Sequence, residues 1–296
     1  EDYGPGRIRP HERTHPGPKE DRLRLTRATR ANLSPIFSLF DDPENAAWSA
    51  LAPHLDQAPW GEVTDADGTV HRLWRVDDPQ AIAAYQDALR GAELLIADGH
   101  HRYETARVYR QEHPSADHVL MCLVALQDPG LTVFPTHRLA VNAGPDRLAA
   151  LAEALERDWT EDPRDTVSIG VYQDGRRRTL YLKDLAIADA AMPGKPEPYR
   201  RLDTAVLEAL ILTGPLGLTE DDISHLRGLD YARTEQEAIA KVDAGEADAA
   251  FIMAATPVER VRDVAAAGEN MPPKSTYFYP KVLTGMVFNP LEDQWP

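Results

Sequence analysis

The stretch Leu94-Leu95-Ile96-Ala97-Asp98-Gly99-His100-His101-Arg102-Tyr103-Glu104 decides the class of fold. Residues 94–97 are a short continuous apolar run, the pattern of a buried strand, and the polar stretch from about His101 to Gln111 reads as a helix. Asp98-Gly99 makes the turn between them, since glycine adopts positive φ at no steric cost. Working outward, the same mixture recurs. Upstream, Arg7 to Lys19 is polar and rich in Pro, Gly and His, and is expected to be a loop. Pro18 suits the first turn of a helix with Glu20 and Asp21 near its positive end, and Ser34-Pro35 stops that helix near Asn32. Ile36 to Phe40 reads as a strand and Pro43 to Leu55 as a helix. Glu62–Thr64 and Val70–Val76 flank Asp67-Gly68, a hairpin signal, and a helix runs from Asp78-Pro79 to about Arg90.

Downstream, His118–Leu126 and Leu131–Val141 read as strands. A helix near Pro145–Arg157 follows, then a hairpin of Val167–Tyr172 and Arg178–Lys183 around Asp174-Gly175. Residues 203–213 and 234–244 read as helices, Ala249–Met253 as a strand, Val258–Ala267 as a helix, and Tyr277–Phe288 as extended chain. Strands and helices mix throughout, so the class is α/β (α+β). The expected division is 1–142 and 143–296, the second being a further mixed α/β region.

Composition narrows the function. The 296 residues carry 48 acids against 32 bases, a formal net charge of −16, which argues against nucleic acid as a partner because that needs a basic face. No apolar run approaches the ~20 residues of a membrane span. No basic-then-apolar leader is visible, so a cytoplasmic protein is expected. Glu1-Asp2-Tyr3-Gly4 does not look like a natural start. The single cysteine, Cys122, sits in the apolar run 119–124, where a small buried hydrophobe is the simpler reading than a reactive thiolate.

Three segments have the residue types for chemistry. In the first, the backbone N–H groups that follow Gly99 lie at a helix N-terminus, which attracts anions. His100 and His101 add donors, Arg102 offers a bidentate grip on phosphate, and Asp98 offers a carboxylate for a divalent cation. The plain alternative is that Asp98 caps the helix and the histidines face solvent. The second segment, Arg9-Pro10-His11-Glu12-Arg13-Thr14-His15-Pro16, contains the letters H-E-x-x-H, but Pro10 and Pro16 interrupt the continuous helix that a zinc site requires. Glu12 is the more interesting residue, as a base in a polar loop or as a solvated charge. The third is Met271-Pro272-Pro273-Lys274-Ser275-Thr276-Tyr277-Phe278-Tyr279-Pro280-Lys281. The chain has only six lysines against 26 arginines, yet Lys274 and Lys281 share this segment and Lys19 follows the second one. A flexible ammonium suits a mobile phosphate, while packing alone would equally explain the aromatic residues. The sequence contains no G-x-x-x-x-G-K-[ST], G-x-G-x-x-G or G-x-S-x-G.

Asp98-Gly99-His100-His101-Arg102, with Pro10-His11-Glu12 upstream, resembles the free serine kinases of the ParB/sulfiredoxin-like superfamily. That resemblance covers about the first 140 residues. Nearly the whole chain resembles the DUF1015 family, through His11-Glu12-Arg13-Thr14, Pro18-Lys19-Glu20-Asp21-Arg22-Leu23, Asn32-Leu33-Ser34-Pro35-Ile36, the Asp98 motif and the segment from Pro273 to Lys281. The resemblance implies a ParB/sulfiredoxin-like N-terminal half and a nucleotide-dependent kinase that phosphorylates a small hydroxylated substrate such as free L-serine, using ADP or ATP with Mg²⁺. It implies that Glu12 deprotonates the acceptor, with Asp98 and His100 as its catalytic partners and Asp98 beside the metal. Gly99, His101, Arg102, Thr14, Lys19, Lys274 and Lys281 would hold phosphate. The alternative from the same superfamily is a non-catalytic, nucleotide-responsive binding protein. A zinc hydrolase through His11 and His15 is a third reading. The oligomeric state stays open, a homo-oligomer included.

Overall fold

The structure is a computed structural model and describes residues 7–12 and 16–291. The described chain is mixed α/β, as the sequence predicts, and folds as two compact units. The first comprises residues 7–10, 16–131 and 280–291, the second residues 11–12 and 132–279. These units differ from the expected division at 142/143 in three places: residues 11–12 and 132–142 belong to the second unit, and the chain after 279 belongs to the first.

The first unit contains β1 (Ile8–Arg9), α1 (Pro16–Thr29), β2 (Ala31–Asn32), β3 (Ile36–Phe40), α2 (Ala46–Leu51), β4 (Gly61–Thr64), β5 (Val70–Leu73), α3 (Pro79–Ala88), β6 (Leu94–Asp98), α4 (His100–Glu112) and β7 (Met121–Ala125). Its main sheet has the order β1-β6-β3-β7. β3 runs antiparallel to β6 and parallel to β7, while β1 runs parallel to β6. Every residue of β3 is buried, which explains its unbroken run Ile36-Phe37-Ser38-Leu39-Phe40: a strand covered on both faces has no polar side to show. Ile8, Ile36, Ile96 and Tyr103 pack as one core cluster. α1 lies along α4, joined by Arg27 to Glu112. β4 and β5 form the hairpin predicted around Asp67-Gly68, with Gly68 at φ 81°.

The expected loop from Arg7 to Lys19 is more ordered than its composition suggests. Ile8 and Arg9 pair with Leu94 and Leu95, and α1 begins at Pro16. The expected helix from Pro43 is shorter, because Asp42 accepts hydrogen bonds from the N–H groups of Ala46 and Ala47 and so starts α2 there; a 3₁₀ turn, Ala52–Asp56, completes it.

The second unit contains β8 (Thr132–Phe134), β9 (His137–Ala140), α5 (Pro145–Asp158), β10 (Trp159–Thr160), β11 (Ser168–Gln173), β12 (Arg176–Leu182), α6 (Leu185–Ala191), α7 (Glu197–Arg200), α8 (Asp203–Leu207), α9 (Glu220–Ser224), β13 (Leu229–Ala232), α10 (Glu235–Asp243), β14 (Ala249–Ile252), α11 (Val258–Ala266) and β15 (Tyr277–Tyr279). β16 (Asn289–Pro290) returns to the first unit and pairs with β2. The larger sheet has the order β10-β12-β11-β14-β9-β13 with antiparallel neighbours, and Leu139, Tyr172, Ala238, Ala250 and Ile252 form its core. The single strand expected over 131–141 is two strands in different sheets, β8 with β15 and β9 with β13 and β14. Pro135 lies between them and has no N–H for a ladder. The helix expected over 203–213 begins as α8 and widens into a π turn over Glu208–Leu212. Of the extended chain expected over 277–288, only β15 is a strand. Among the described residues, no helix is long and apolar enough to cross a membrane.

Candidate functional site

The sheet of the first unit delivers Asp98 at the C-terminal end of β6, and the chain turns at Gly99 (φ 103°, ψ 24°) directly into α4. Two constraints make this position a glycine. The positive φ strains any residue with a Cβ. The space a Cβ would fill is also taken, since it would meet Arg102 Nη2 at 2.9 Å. Arg102, one helical turn on, folds back over the glycine and donates from Nη2 to Asp98 Oδ2 at 2.8 Å. Lys281, from the returning segment, donates to Oδ1 of the same carboxylate at 3.0 Å. Two cations therefore converge on one carboxylate beside the N-terminus of a 13-residue helix, whose dipole favours negative charge. Burial pushes the Asp98 carboxyl up, but Lys281 and Arg102 together outweigh it and hold it below the usual carboxylate range. Arg102 Nε is buried without a hydrogen-bond partner among the described residues.

Asp98 does not cap α4: Gly99 is the N-cap residue, and no side chain caps it. The plain capping alternative is therefore not what the carboxylate does. His100 is buried at the first helical position and His101 is half-buried beside it. Lys19 donates to Glu104 Oε2 at 2.8 Å, an ion pair that ties α1 to α4.

Of the other predicted residues, Glu12 and Lys274 lie in the second unit. His11 is buried, its ring Nε2 lies 3.0 Å from Thr276 Oγ1, and its carbonyl accepts from the Met271 N–H at 2.8 Å. The His11-Glu12 motif and the start of the 271–281 segment are thus stitched together. Glu12 is half-buried, and its charge acts on Tyr231, whose hydroxyl is pushed up first by burial and further by Glu208 and Glu12, against Arg138. Lys274 is exposed at a backbone φ of 59°, unusual for a residue with a side chain. Buried Arg138 donates from Nη2 to the carbonyls of Pro273 and Lys274 at 3.1 and 3.2 Å, so it braces that turn. The 271–281 segment is divided between the units, Lys274 in the second and Lys281 in the first. Thr14 lies outside the described residues.

Sequence reasoning missed Arg138, Glu208 and Tyr231. A signal was available, because Arg138 stands directly before the apolar run Leu139-Ala140-Val141 of a strand. Burial pushes the Glu208 carboxyl up, with Arg138 opposing, and the Arg138 guanidinium lies 5.7 Å from the Tyr231 ring centre.

The expected Mg²⁺ does not fit Asp98 as it stands. Both of its oxygens accept from cations, and no group of three His, Cys, Asp or Glu suited to a metal occurs among the described residues. Cys122 is half-buried and its thiol is pushed up by burial, which disfavours the thiolate.

The strand end, left-handed glycine and helix start thus bring two cations, Arg102 and Lys281, together on Asp98. The chain belongs to the DUF1015 family, described as "Protein of unknown function (DUF1015)", whose match covers residues 1–205. No curated protein sequence matches it. Solved structures similar to it include a conserved hypothetical protein from Pyrococcus furiosus, at 16% identity over 97% of this chain and 93% of that one, with a TM-score of 0.46. A free serine kinase in complex with AMP aligns at 16% identity over 94% of this chain and 88% of that one, with a TM-score of 0.46. SbnI with a C-terminal truncation, from Staphylococcus aureus, aligns at 12% identity over 96% of this chain and 84% of that one, with a TM-score of 0.49.

Proposed function

We propose that the protein is a nucleotide-dependent phosphotransferase that acts on a small hydroxylated substrate such as free L-serine, with ADP or ATP as donor. The observation that carries this reading is the convergence of Arg102 and Lys281 on Asp98 at the start of α4. An incoming phosphate competes with the carboxylate for both cations and meets the positive end of the helix, with His100 and His101 adding donors. Phosphoryl transfer needs mainly positioning and neutralised charge, which this corner supplies without a P-loop. Asp98 holds the guanidinium and the ammonium in place before the donor arrives. The role of Glu12 rests on the motif resemblance. It takes the proton of the acceptor hydroxyl as that oxygen bonds to the terminal phosphorus, and the bond from phosphorus to the bridging oxygen breaks. The products are the O-phosphorylated acceptor and AMP from ADP, or ADP from ATP. Lys19 is paired with Glu104 and braces α1 against α4.

The test is product formation by the full chain from L-serine with ADP or ATP, followed by ³¹P NMR. The expected product is O-phosphoserine. Glu12→Gln should lower turnover by about 10²-fold or more, with ADP affinity within a few-fold of the wild type. Nucleotide binding without product, across a panel of hydroxylated amino acids, would overturn the kinase reading in favour of the binding-protein alternative.

A further inference from the structure

Beside the Asp98 corner lies a cavity of about 620 Å³ whose lining comes from the first unit alone. Its walls are mainly apolar and include Phe37, Met121, Cys122, Val282 and Leu283. Two observations tie it to the corner. Lys281 lines the cavity while its ammonium lies 3.0 Å from Asp98 Oδ1. Phe37, another wall residue, stands opposite Asp98 in the β3–β6 ladder, where strands are spaced ~4.8 Å apart. Apolar space therefore begins within about one strand spacing of the carboxylate, and Lys281 borders both. The volume falls within the ~300–1,000 Å³ of small-molecule sites, which pair apolar walls with a few fixed polar groups.

A ligand that suits both parts has an anionic end and a flat apolar body. We infer that the cavity receives the nucleoside of the phosphate donor. This rests on the reading that the Asp98 corner holds the donor's phosphates. The base packs against Met121, Val282 and Leu283, where sulfur contacts favour an aromatic plane. Lys281 is the joint between base site and phosphate site. The cavity accordingly supplies affinity that inorganic pyrophosphate, which has no base, cannot obtain.

Cys122 makes the inference testable on the unaltered chain, because it is the only cysteine and lies in the cavity wall. Burial holds its thiol up, so alkylation with N-ethylmaleimide is followed at alkaline pH by intact mass, with ADP and pyrophosphate binding measured by calorimetry. Saturating ADP should slow alkylation about tenfold or more, and saturating pyrophosphate should leave it unchanged. ADP that binds without slowing alkylation, or pyrophosphate that slows it as much, overturns the cavity assignment and leaves the phosphate corner standing. Absence of binding by both ADP and pyrophosphate overturns the corner as well. Should the thiol resist labelling without ligand, Val282→Trp decides: filling the cavity should abolish an ADP preference over pyrophosphate of about tenfold while keeping pyrophosphate affinity. Unchanged ADP affinity in that variant overturns the inference.

Discussion

Gly99 is where backbone geometry and site chemistry constrain each other. A residue with a side chain there takes a strained positive φ and pushes its Cβ against the Arg102 guanidinium. The helix would tolerate alanine at many other positions; at this one the extra methyl separates Arg102 from Asp98 and frees a carboxylate to repel phosphate. Gly99→Ala is therefore expected to destabilise the chain by about 1–2 kcal/mol, the cost of a left-handed residue with a Cβ. It should also weaken pyrophosphate binding about tenfold. Thermal denaturation and calorimetry measure the two effects separately. A variant that loses stability but keeps its affinity would show that Arg102 grips the ligand without needing its seat over the glycine.

At the scale of elements, α8 begins with a charge that the fold discourages. Burial pushes the Asp203 carboxyl up to about 6, and Arg260 at 3.9 Å offsets only part of that cost. A carboxyl whose folded pKa lies above its unfolded value of ~3.9 binds a proton more readily in the folded state. Its stability contribution is complete below about pH 4 and is lost as pH rises through about 6. Asp203→Asn should thus be nearly neutral at pH 4 and stabilising by about 1–3 kcal/mol at pH 7, from a shift of about two units at ~1.4 kcal/mol each. Denaturant unfolding of both proteins at the two pH values measures this. A gain of equal size at both values would assign the effect to packing. Elements such as α8 were legible in the sequence wherever their cause is local. Asp67-Gly68 and Asp174-Gly175 marked both hairpins, Asp78-Pro79 marked the start of α3, and the 94–99 run marked β6 and its turn. The sequence hid what depends on distant partners. β8 and β9 read as one strand although Pro135 lies between them, because the different partners they take, β15 for one and β13 and β14 for the other, have no local pattern. The same limit applies to the site. The charged and donor residues of 98–102 stand together in the sequence, whereas the contact of Lys281 with Asp98 spans 183 positions and has no local pattern.

For the whole molecule, the division into two units turns the site into a statement about where a ligand stabilises. Each unit has its own core, around Ile36 and Ile96 in the first and around Leu139 and Ala250 in the second. The Asp98 corner and the cavity draw on the first unit alone. A ligand that binds the folded site stabilises it by mass action, by about 2.7 kcal/mol at a hundred times its dissociation constant. Amide exchange reports openings region by region, so this stabilisation appears only at amides whose opening disrupts the site. ADP should therefore slow exchange by up to about 10²-fold in β3, β7, the start of α4 and residues 280–283. Amides of β11, β12 and β14 should keep their rates. The contrast follows from the proposed seating, in which the phosphate end would meet the strand-to-helix turn at Gly99 and the base would meet Met121 and Val282, all in the first unit. Slowing in the second sheet instead of the first would mean that the nucleotide is gripped by residues of the second unit, and that the first unit's corner and cavity are not its site.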